Sequence, residues 1–70
     1  METQRDKFIR LATKRTQDTL NKLRLIGNLS NKNNYDYNET DLSKIFSAID
    51  KQLRHIKSKF EAKGKEQFKL

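Results

Sequence analysis

Apolar residues recur most regularly between Asn38 and Phe60. Leu42, Phe46, Ile49, Leu53, Ile56 and Phe60 follow one another at steps of four, three, four, three and four. Only a helix puts six side chains at that 3.5-residue spacing on one seam, and Ile45 widens it on one flank. Asn38 stands where an N-cap belongs. Asp41 at the third helical position can close a capping box, and Tyr37 and Leu42 are placed for a hydrophobic staple. Lys59 and Lys63 suit a last turn, with Gly64 as the residue after it, so this pattern predicts a helix over about 38–63. Phe46, Ile49 and Leu53 are the expected centre of its buried face.

The first 29 residues give a second helix pattern. Phe8, Ile9, Ala12, Thr16, Thr19, Leu20, Leu23 and Ile26 fall in one broad stripe at 100° per residue, while Arg10, Lys14, Gln17 and Asn21 lie opposite. Thr3 with Asp6 repeats the capping-box pattern, which predicts a helix over about 4–29. Its end is ambiguous, because Gly27 can stop it through a positive φ or Leu29 can continue it. A second seam on this helix is Leu11, Arg15, Asp18, Lys22, Leu25 and Leu29, again at steps of four and three. Leucines hold its ends and charges its middle. Asp18 with Lys22 is the expected i,i+4 pair and Arg15 with Asp18 an i,i+3 pair.

Between the helices, GNLSNKNNYDY carries four asparagines in eleven positions. Asparagine bonds to neighbouring backbone and tolerates tight turns, so about 30–37 reads as the connection. Tyr35 and Tyr37 lie in it; Tyr35 either covers this end of the molecule or stacks on a ligand or partner. The last residues, 64–70, lack periodicity and read as a frayed tail, with Phe68 and Leu70 as docking candidates. The expected fold class is therefore all-α: a two-helix antiparallel hairpin in a single domain.

Composition adds a demand for partners. Seventy residues, 33% hydrophobic and 36% charged, cannot wrap a large core, and no cysteine supplies a staple. Pairing within a hairpin uses one seam of each helix and leaves Leu11, Leu25 and Leu29 uncovered. These three mark an expected interface in a homo-oligomeric helical bundle, a dimer or a dimer of dimers. The net charge is +7. It divides as +4 over residues 1–29, −2 over 30–41 and +5 over 42–70. Both helices are basic, which suits an anionic partner.

Catalytic patterns are not found. There is no cysteine nucleophile, the single histidine, His55, lies opposite the main seam, and the acids sit singly or at helix starts. A non-enzymatic chain with no cofactor and no metal site is expected. No apolar run approaches a membrane span and the N-terminus lacks a signal-type apolar region, so a cytoplasmic protein with no membrane partner is expected. The sharpest site hypothesis uses the polar middle of the second seam. If two first helices pack antiparallel along it, Arg15 and Lys22 from both copies converge around Asp18, bordered by Lys14 and Arg10, and a phosphate-bearing small ligand would relieve their repulsion. Phosphate-backbone binding of nucleic acid and direct binding of a host protein are the competing expectations.

Four stretches carry a resemblance: Ala12-Thr13-Lys14-Arg15-Thr16, Ile26-Gly27-Asn28-Leu29-Ser30-Asn31, Asn34-Tyr35-Asp36-Tyr37 and Lys44-Ile45-Phe46-Ser47-Ala48-Ile49. As a set they resemble small proteins encoded by phages and mobile elements of Gram-positive bacteria, over most of residues 8–60. The resemblance implies a mobile-element role in the host cytoplasm. Proteins of that kind include inhibitors of host defence proteins and molecular sponges that hold an anionic nucleotide signal in basic pockets between subunits. No residue role comes with it.

Overall fold

A computed structural model describes residues 1–64, with side chains through Glu61. Among the described residues the chain is helical, with no strand. Helix α1 runs Gln4–Gly27, a 3-10 turn follows at Asn28–Ser30, and helix α2 runs Glu39–Gly64. The chain divides into two units, residues 1–36 and the residues from Tyr37 onward. The expected frayed tail, with Phe68 and Leu70, lies outside the described residues.

In the first unit, α1 begins as its local chemistry dictates. Thr3 is extended and its hydroxyl accepts from the Asp6 amide at 3.0 Å, while the Asp6 carboxylate accepts from the Thr3 amide at 3.3 Å. Two of the otherwise unpartnered amides of a helix start are thereby satisfied. Arg5 lies 6.0 Å from the centre of the Phe8 ring, the i,i+3 neighbour that helical spacing provides. Thr19 sits on the apolar stripe and returns its hydroxyl to the Arg15 carbonyl at 2.8 Å, which lets a polar residue occupy that face.

The end of α1 corrects the expectation of a helix through residue 29. The α-helix stops at Gly27, and Leu29 belongs to the tighter 3-10 turn. Two steps at 120° instead of 100° turn Leu29 by about 40° from a continuous α-helical seam. Nor does Gly27 use a positive φ: it is right-handed at φ −60°, ψ −30°, and an added Cβ would meet nothing within 4 Å. A local turn follows at the asparagines. The Asn31 side-chain oxygen accepts from the Asn33 amide at 2.9 Å, and the Asn31 carbonyl accepts from the amides of Asn34 and Tyr35.

In the second unit, α2 opens with the same device. The Asn38 side chain accepts from the Asp41 amide at 2.9 Å and the Asp41 carboxylate accepts from the Asn38 amide at 3.0 Å. Tyr37 and Leu42 are both half-buried, as a staple at this end requires. Ile49 is half-buried too, but Phe46 is 53% and Leu53 48% exposed. No described residue is buried, so the expected buried centre of the seam is instead exposed or half-buried. A single helix cannot cover its own apolar stripe; that takes an opposing surface.

Candidate functional site

The expected ligand residues Arg10, Lys14, Arg15, Asp18 and Lys22 all lie on α1, and all are exposed. Helical spacing places Arg15, Asp18 and Lys22 on one face within two turns. Their pairing differs from the expectation. The Asp18 carboxylate takes the Lys14 ammonium at 2.8 Å, so neither Lys22 nor Arg15 is its partner. Both Lys14 and Lys22 stand four residues from Asp18, and spacing alone does not decide between them. Among the described residues, the Arg15 and Lys22 side chains have no ion-pair or hydrogen-bond partner. The helix therefore presents two unneutralised cations seven residues apart, with the intervening carboxylate already engaged from the side.

Arg10 is also held within its own unit. It donates to both carboxylate oxygens of Glu2, at 2.7 and 3.1 Å. This fork pairing raises the Arg10 pKa above its ordinary value, against a small lowering from desolvation. Glu2 precedes the helix, so helical spacing could not point to it. The pair anchors the segment before the capping box and removes Arg10 from the free cations.

The expected interface residues are dissimilar. Leu11 is half-buried, whereas Leu25 is 53% exposed and Leu29 47% exposed, the latter turned out of line by the 3-10 turn. Tyr35 is exposed in the connection, where its ring is accessible to a partner. His55 is exposed, and its carbonyl accepts from the Ser58 hydroxyl. Among the described residues no three acids or histidines converge as a metal site, and no helix is long and apolar enough to cross a membrane.

No family model, curated protein or solved structure matches the chain. Its chemistry is thus read from its own residues.

Proposed function

We propose that this chain is a non-enzymatic binding protein of a phage or mobile element, acting in the host cytoplasm as a counter-defence factor. In this reading two copies of the chain assemble with the seam from Leu11 to Leu25 of each α1 at their interface. The interface holds an anionic, nucleotide-type signal. The observation that supports it is the pair Arg15 and Lys22, exposed and, among the described residues, without a partner while Asp18 is taken by Lys14. Two copies of that pair contribute four cations, whose mutual repulsion a bound phosphate dianion would relieve. Arg15 offers a planar fork to phosphate oxygens and Lys22 a mobile point charge. Such a ligand binds only the assembled form and so stabilises it by mass action.

Calorimetric titration with cyclic dinucleotides and ADP-ribose-like ligands tests this. The wild-type chain is expected to bind at micromolar concentration and the Arg15→Glu variant to lose binding. Absence of heat from every ligand with the wild-type chain removes the reading.

A second reading has its own observation. Tyr35 is 47% exposed on an asparagine-rich turn, a surface suited to a host protein rather than a small anion. Under it the chain is a stoichiometric inhibitor of a defence protein. Tyr35→Ala would then abolish capture of that protein while leaving ligand titrations unchanged. Nucleic-acid binding rests on charge alone and predicts affinity that falls steeply with salt.

A further inference from the structure

We infer that α2 is an assembly surface whose occupant is α2 of a second copy of this chain, packed antiparallel. The inference concerns α2 and does not rest on the anion reading of α1.

Seven residues make up the α2 stripe, and five of them stay exposed: Ile45, Phe46, Leu53, Ile56 and Phe60, the last at 65%. Leu42 and Ile49 are half-buried. The spacing four, three, four, three, four reads the same in both directions. A two-fold axis level with Lys51 therefore sets Leu42 opposite Phe60 of the second copy, Phe46 opposite Ile56 and Ile49 opposite Leu53. Every seam position meets an apolar one, which is the self-complementarity an isologous interface needs. The seam of α1 lacks this property: its middle is charged and Leu29 is turned away by the 3-10 turn.

Charge at the helix ends favours the antiparallel direction. The first turn of α2 carries Glu39 and Asp41, and its turns from Lys57 onward stay basic, with Lys57, Lys59 and Lys63 against the single acid Glu61. Antiparallel packing lays the acidic start of each copy beside the basic end of the other and opposes the two helix dipoles. Parallel packing stacks like charges at both ends. Asp50 and Gln52 flank the axis, each close to its own symmetry mate.

The absence of cysteine makes the geometry readable. Single substitutions Gln52→Cys, Ser43→Cys and Lys57→Cys, all off the apolar stripe, are made in the full chain, with helicity checked by circular dichroism. Each is oxidised with glutathione disulfide at about 10 μM. Gln52→Cys is expected to link to itself about 100-fold faster than Ser43→Cys, the ratio of a millimolar effective concentration to the free one. Ser43→Cys mixed with Lys57→Cys is expected to give the mixed disulfide, identified by mass. Faster self-linking of Ser43→Cys means a parallel pair and overturns the proposal. So does a single-chain mass by light scattering, whether or not that chain co-sediments with anionic phospholipid vesicles. Titration with nucleotides is a separate measurement, so loss of the anion reading leaves this test intact.

Discussion

Helices α1 and α2 begin alike and then diverge. Each starts with a polar cap whose partner is an aspartate three residues on, and each closes the reciprocal box. Beyond the first turn, α2 keeps one uninterrupted apolar stripe of leucine, isoleucine and phenylalanine. In α1 the stripe admits Thr16 and Thr19, and a second face mixes leucines with Arg15, Asp18 and Lys22. The contrast separates two jobs of a helix surface. A stripe without polar members is suited to closing against another stripe; a face with unpaired cations can remain wet and recognise charge.

The largest test of that division is truncation on each helix. Leu53→Ala should cost about 2–5 kcal/mol where the assembly buries Leu53. For so small a chain that amounts to loss of the folded assembly. Leu25→Ala should cost clearly less, because its seam is charged in the middle and bent at its end. Denaturant unfolding followed by circular dichroism measures both, and equal losses would erase the distinction between the two faces.

The shared starts give the next effect. Thr3→Ala and Asn38→Ala should each cost about 1 kcal/mol, through loss of one capping bond at a helix start. Thermal melts that separate the two variants widely would show that one helix carries most of the cooperative unit. Smaller still is Gly27→Ala. Its right-handed backbone and empty surroundings admit a methyl group, so the change should stabilise α1 by about 0.4–1 kcal/mol. Destabilisation would mean that residue 27 moves to a positive φ in the assembled protein. The smallest expected effect is Lys14→Ala. It breaks an exposed ion pair worth a few tenths of a kcal/mol, so the melting curve should hardly move. It also frees Asp18 to oppose an anion, so the Lys14→Ala chain should bind a nucleotide more weakly than wild type by calorimetry.

What could be read directly from the residue order was local. Both caps, the asparagine turn and the two helix stripes depend on groups within four residues of each other, and chain connectivity alone brings those together. The candidate cations were legible as a face for the same reason. Three features were not. Asp18 had two lysines at the same spacing, and only the folded side chains show Lys14 as its partner. Glu2 precedes α1, where no helical period applies, so its fork with Arg10 had no sequence signal. Gly27 invited a left-handed stop, yet the helix passes through it in right-handed geometry and tightens afterwards, which carries Leu29 off the seam. The residue order by itself determined two capped helices with a basic surface and one self-complementary stripe, because these follow from period and local hydrogen bonding. The folded structure decided which ion pairs form, where α1 changes pitch, and that no described side chain is buried. Those outcomes depend on side-chain rotamers and on surfaces that meet, and neither is encoded by spacing along the chain.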